Sequence, residues 1–186
     1  MRVISGYLKG RKLIDPKDNF TRPLKDLTKE SIFNFITHAN IDFKIKNSKI
    51  LDLFSGTGSF GIECISRGAS NVTFFENYPE AIKVLTSNIE KFSINKNTEI
   101  IKSNFLNYNF TNRLNGKFDL IFLDPPYKEK NINIIFQNIK EKQILTKNGL
   151  VILHRNKKTF DEITNDFLEI DKRVYGISKI IYFILR

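Results

Sequence analysis

The sequence predicts an α/β fold: a doubly wound sheet of seven mostly parallel strands with an antiparallel edge strand, preceded by a short N-terminal β-hairpin and helix. Three observations predict it. From residue 49 onward, short apolar runs alternate with segments of helical periodicity, which requires right-handed crossovers and a parallel sheet covered on both faces. Gly56, Gly58 and Gly61 stand in G-x-G-x-x-G spacing between the first of these runs and the helix after it, a Rossmann-like arrangement. The last two apolar segments have little helix between them, so a hairpin is the simplest link.

Each element follows from its local pattern. RVIS and RKLI flank GYLKG, whose two glycines suit a turn, giving a hairpin over 2–14 and then a polar loop from Asp15 to Pro23. Leu27, Ile32, Phe35, Ile36 and Ala39 fall near helical spacing from about Asp26 to His38, with Asp26 available to cap the start. KILDLF (49–54), NVTFFE (71–76), TEIIK (98–102), FDLIFLD (118–124), GLVILH (149–154), FLEIDKRVYG (167–176) and KIIYFILR (179–186) read as strands. Helices are expected near 59–67, 79–92 and 131–141. With no repeat and no long linker, the expected division is a basic hairpin and loop over 1–24 and one compact domain over 25–186.

Bulk properties narrow the function classes. A chain of 186 residues suits one domain, large enough to bury about two thirds of its unfolded surface. Its one cysteine, Cys64, cannot form an internal disulfide, and no paired Cys/His spacing suggests a metal. A reducing cytoplasm is the expected setting. No apolar run approaches the ~20 residues needed to cross a bilayer, so no membrane is expected as partner. Thirty Lys and Arg against twenty Asp and Glu give a net charge of +10, which suits a polyanion. Arg2, Lys9, Arg11 and Lys12 fall in the first fourteen residues with no acid among them, and are candidate nucleic-acid contacts.

LDLFSGTGSFGIE (51–63) carries the first chemical signal. Glycines there let backbone approach a ligand closely and let the helix pack on the strand. Ser55 and Thr57 belong to the same loop, and Asp52 lies four residues before Gly56 at the strand end. A carboxylate in that place repels a pyrophosphate and attracts the ammonium and sulfonium of S-adenosyl-L-methionine. A unit charge pair ~4 Å apart is worth roughly 4 kcal/mol at an effective permittivity of 20, with opposite sign for an anion. Glu76 ends the second strand, where an acid accepts both ribose hydroxyls, and Asn77 follows it. Asn104, just past the third strand, can hydrogen-bond an adenine edge, and Phe105 can pack on its ring.

DPPY (124–127) is the second signal. An exocyclic amine on a base or an amide is a poor nucleophile because its lone pair is conjugated, so it must be held out of plane. Asp124 can accept one N–H and the Pro125 carbonyl the other, while Pro125 and Pro126 fix φ and offer no competing donor. Tyr127 supplies a flat face for an unstacked base, a contact worth ~1–3 kcal/mol. Lys128, directly after, is a candidate RNA contact. Cys64 reads as a small core residue, against cysteine-dependent methylation of pyrimidine carbon-5, and His38 and His154 as ordinary surface or strand-end residues.

In LDLFSGTGSFGIE, FFEN and DPPY, the sequence resembles the class I S-adenosylmethionine-dependent methyltransferases. MRVISGYLKGRKL and TRPLKDLTKESIFNFI add the amino-terminal signature of the RsmD-type 16S ribosomal RNA guanine-N2 methyltransferases. The resemblance implies that Asp52, Gly56, Gly58, Glu76 and Asn104 contact the cofactor. It further implies that Asp124 to Tyr127 hold the guanine 2-amino group, and that the substrate lies in 16S rRNA of the small ribosomal subunit. Asn104 stands where that class commonly carries Asp. Arg22 in the Thr-Arg-Pro stretch is either a phosphate contact or a helix-packing residue. A monomer is expected. Competing readings are an adenine-N6 DNA methyltransferase, a protein glutamine methyltransferase, an NAD-binding oxidoreductase built on the same glycine spacing, and a non-catalytic RNA-binding module.

Overall fold

Alternation along the strands sorts the apolar side chains onto two faces, and each face is covered by helices. In the computed structural model, which describes residues 1–16, 24–108, 114 and 116–186, the elements run α1 (Asp26–His38), β1 (Lys49–Leu53), α2 (Ser59–Ser66), β2 (Asn71–Glu76), α3 (Pro79–Phe92), β3 (Thr98–Lys102), β4 (Phe118–Leu123), α4 (Ile132–Glu141), β5 (Leu145–Asn156), β6 (Phe167–Tyr175) and β7 (Ser178–Leu185). The sheet order is β3-β2-β1-β4-β5-β7-β6. Pairing is parallel from β3 to β5 and antiparallel from β5 through β7 to β6, as expected from sequence.

Ile50, Phe74, Phe122 and Ile152 face α1, α2 and α3, where they bury Phe33, Phe60 and Leu85. Leu53, Phe75, Leu123 and Leu153 face the other way onto α4 and its Ile135 and Phe136. The chain winds outward from β1 to β3 and then returns to lay β4 on the opposite side of β1. That reversal opens a crevice beyond the carboxyl ends of β1 and β4. Both sequence motifs leave their strands there.

The glycine loop behaves as its spacing predicts. Gly58 adopts φ +78°, and a Cβ on it would lie 2.4 Å from Leu85 Cδ1. A Cβ on Gly61 would lie 2.3 Å from the Phe74 ring, so α2 rests on β2 at a distance only glycine permits.

Three expectations need correction. Asp26 is the first residue of α1, the N-cap being Lys25 with no side-chain bond, and Leu27 is exposed instead of facing the core. The N-terminal hairpin pairs through a single bridge, Arg2 with Lys12. Its other donors are taken by α2: Ile4 and Ser5 N–H donate to the buried Glu63 carboxylate at 2.7 and 2.9 Å, and Leu8 N–H donates to Ser66 Oγ at 3.0 Å. Val3, Leu8 and Leu13 thereby join the core under α1 and α2. Finally, β5 starts earlier than the apolar run GLVILH, because Leu145 pairs with Phe118 of β4, and ends later, because antiparallel pairing with β7 continues through Arg155 and Asn156.

Candidate active site

The residue after β1, Phe54, takes φ +60°, a left-handed conformation that a bulky side chain adopts only at a cost of about 1–3 kcal/mol. This turn swings the glycine loop back toward β2. Gly56 N–H then donates to Glu76 Oε2 at 2.7 Å, while Glu76 Oε1 accepts from Asn77 and Tyr78 N–H at 2.8 and 2.9 Å. Glu76 thus joins two strand ends and fixes the start of α3. With three of its roughly four lone-pair directions engaged, it keeps one for a further donor.

These groups wall one side of a cavity of about 400 Å³, with Phe54, Tyr78 and Ala81 as its apolar surface. Asp124, Pro125, Pro126 and Tyr127 form the other side. A side crevice at the ends of β2 and β3 shares Phe54, Glu76 and Asn77 with it and is closed by Asn104 and Phe105. Asp124 keeps 22% of its side chain exposed and is held from behind: its Oδ1 accepts from His154 Nδ1 at 2.7 Å. Since the carboxylate accepts, the imidazole carries its proton on Nδ1. The Pro125 carbonyl has no protein donor among the described residues, whereas the Pro126 carbonyl is taken by Glu129 N–H and by Arg155 Nη1 at 3.1 Å.

The chain matches the family model described as conserved hypothetical protein 95 over residues 1–184. It is 34% identical to the Bacillus subtilis protein YlbH over 96% of this chain and 95% of that one. It is 35% identical to the ribosomal RNA small subunit methyltransferase D of Buchnera aphidicola (subsp. Acyrthosiphon pisum), covering 84% of this chain and 78% of the relative. Among solved structures, the yhhF protein of Escherichia coli superposes with a TM-score of 0.84 at 22% identity, over 100% of this chain and 97% of that one. The chain belongs to the RsmD family of methyltransferases.

Within this RsmD-family methyltransferase, the other residues singled out from sequence occupy varied positions. Ser55 and Thr57 are buried: Ser55 Oγ donates to the Asp52 and Phe75 carbonyls at 2.6 and 3.1 Å, and Thr57 accepts from Asn88 through its backbone. Asn104 caps a 3-10 turn through Leu106 N–H at 2.9 Å. Phe105 is 2% exposed and meets Phe75 edge to face, so its ring belongs chiefly to the core. Arg2, Lys9, Lys12 and Lys128 are exposed. Arg11 is exposed too, but its guanidinium donates to Lys91 O at 3.0 Å and lies over Phe92, at the far end of α3. By helix rise that is about 20 Å from the Pro79 end, which borders the cavity. Arg22 lies outside the described residues.

Asp52 differs most from expectation. Strand alternation puts it in register with Phe74 and Phe122 on the α2 face, where it is 1% exposed and accepts from Gly61 N–H at 3.0 Å. It does not line the cavity. Burial pushes its carboxyl well above the ordinary value of 3.8, the Gly61 N–H pulls it back, and the Asp124 and Glu76 charges raise it further. A carboxyl raised in this way holds its proton longer when folded than when unfolded. Its contribution to stability is therefore fully present below 3.8 and is lost as pH rises through the folded value. Asp52→Asn keeps an oxygen for Gly61 and removes the buried charge, so urea melts should show a variant more stable than wild type at pH 7 and equal to it near pH 3. A variant less stable at pH 7 would refute this balance.

His154 and Arg155 hold the DPPY loop from behind, and the sequence did not single them out for the candidate site. His154 is 1% exposed, and its Nε2 is buried with no hydrogen-bond partner among the described residues. Arg155, also 1% exposed, makes a two-pronged pair with Asp161 at 2.8 and 3.0 Å and donates to the Pro126 and Glu129 carbonyls. It is a strut for the DPPY loop. The available signal was a His-Arg pair at the end of an apolar strand, where buried charge requires a partner.

Proposed function

We propose that this enzyme transfers a methyl group from S-adenosyl-L-methionine to the exocyclic N2 amine of a guanine in 16S ribosomal RNA. One observation carries the reading: the partly exposed Asp124 carboxylate and the Pro125 carbonyl, which has no donor among the described residues, line one acidic cavity walled by the glycine loop. The RNA substrate is supported by the function named for the Buchnera relative.

The residues suit the cofactor. A cavity of about 400 Å³ falls within the usual range for bound small molecules. Glu76 keeps an acceptor site for a ribose hydroxyl, and Gly56 presents bare backbone to the cavity. The carboxylates of Glu76 and Asp124 make this part of a +10 chain locally negative, which favours a cation and disfavours a pyrophosphate. When bound, S-adenosylmethionine supplies an electrophilic methyl on a sulfonium.

The chain's own work is orientation. Asp124 and the Pro125 carbonyl each accept one N–H of the substrate amine, which turns its lone pair out of conjugation toward the cofactor side of the cavity. Tyr127 borders the same cavity and offers its ring to the base. His154 occupies Asp124 Oδ1, leaving Oδ2 to face the amine. No covalent enzyme intermediate is needed, and positioning supplies most of the acceleration.

Incubation with methyl-labelled cofactor and unmodified small subunits, followed by nucleoside mass spectrometry, should yield N2-methylguanosine. A different methylated nucleoside, such as N6-methyladenosine, would defeat the base assignment.

A further inference from the structure

A second cavity, of about 530 Å³, adjoins the first and shares Tyr127 with it. Its floor is Ile132, its walls include Lys128, Lys130 and Arg155, and its rim carries Phe160. At 86% exposed, Phe160 is the most exposed large apolar side chain among the described residues. An aromatic ring so placed has no part in the core.

The backbone beneath that ring is firmly built. Lys157 N–H donates to Ile177 O at 2.8 Å, Lys158 N–H to Asn156 Oδ1 at 2.9 Å and Thr159 N–H to Asn156 O at 3.0 Å. The 8%-exposed Lys179 reaches from β7 to donate to Thr159 O at 2.5 Å, and Asp161, one residue beyond Phe160, is locked by Arg155. Two buried cations therefore fix both flanks of a ring that faces solvent. Lys128, Lys130, Lys157 and Lys158 are exposed around it, against Glu129 and Glu162, the two carboxylates near the cavity that Arg155 does not neutralise.

A rigid aromatic platform amid an excess of ammonium groups is the arrangement that binds single-stranded nucleic acid, with stacking for a base and lysines for the flanking phosphates. We infer that this cavity holds the nucleotide next to the methylated guanine, with Phe160 as its stacking platform. Tyr127, bordering both cavities, separates the base to be methylated from its neighbour. The inference rests on RNA being the substrate, as proposed above, and adds that the strand is held unpaired on both sides of Tyr127.

Two measurements on the full chain test it. Loss of one stacked base should weaken binding of a short fluorescein-labelled single-stranded oligoribonucleotide to Phe160→Ala by about fivefold or more, while Phe160→Trp binds like wild type. In the subunit methylation assay, Phe160→Ala should raise KM by a similar factor and leave kcat and S-adenosylhomocysteine affinity unchanged. Because the side chain is exposed, the urea midpoint should not move. Equal oligonucleotide affinity for wild type and Phe160→Ala overturns the inference, whether or not N2-methylguanosine forms. Sedimentation showing that Phe160→Ala splits a dimer without changing RNA affinity would overturn it too, assigning the face to a second copy of the chain. Absence of N2-methylguanosine together with Phe160-dependent RNA binding would count against the proposed chemistry and leave the groove standing.

Discussion

Asp124→Asn is expected to lower kcat by at least about 10²-fold while S-adenosylhomocysteine binds within about twofold of wild type. The substitution preserves size. It replaces an anion that only accepts with an amide that can present an N–H to the substrate amine or to His154 Nδ1–H, at a place where two acceptors are required. S-adenosylhomocysteine carries no sulfonium, so loss of one carboxylate from the cavity should leave its affinity nearly intact. The kcat loss should persist at saturating substrate, because the interaction removed orients the reacting nitrogen and contributes little to ground-state binding. Calorimetry with the product cofactor and single-turnover methyl transfer separate the two effects. Turnover within a few-fold of wild type would refute the amine clamp.

Arg155→Met is expected to act on stability and catalysis together. The substitution leaves the Asp161 carboxylate, 6% exposed, buried without its cation, which typically costs about 3–5 kcal/mol. It also frees the Glu129 carbonyl and leaves the Pro126 carbonyl with the Glu129 N–H alone, so the loop that aims Pro125 loses its strut. The double variant Arg155→Met/Asp161→Leu should recover most of the stability, since replacing a whole buried pair by apolar side chains is often neutral. It should not recover turnover, because the Glu129 carbonyl still lacks a donor and the Pro126 carbonyl keeps only the Glu129 N–H. Urea midpoints read the first effect, and kcat at saturating substrate reads the second, expected to fall roughly 10²-fold for a misplacement of about 1 Å. A double variant as active as wild type would show that the loop holds its shape unaided.

Both predictions depend on partners that local pattern does not reveal. The ends of α3 and β2 stand as their spacing implies, because helix and strand periodicity are properties of consecutive residues. The glycine loop and DPPY were legible for a similar reason: each is a short segment whose residue types dictate its own backbone. The N-terminal hairpin was less so. Its donors had a choice between its own second arm and the Glu63 carboxylate on α2, and nothing near in sequence indicates which wins.

By itself the sequence determined the kind and order of the strands and helices from residue 49 onward, and that the glycine loop and DPPY leave their strands at the same edge of the sheet. Only the tertiary structure decided that β4 lies between β1 and β5. That order sets His154 behind Asp124 and Arg155 under Pro126, though about thirty residues separate each pair along the chain. The physical reason is that alternation and helical period specify which way a side chain faces. Which charges meet across a sheet depends on strand order, and strand order is fixed by burial summed over the whole chain.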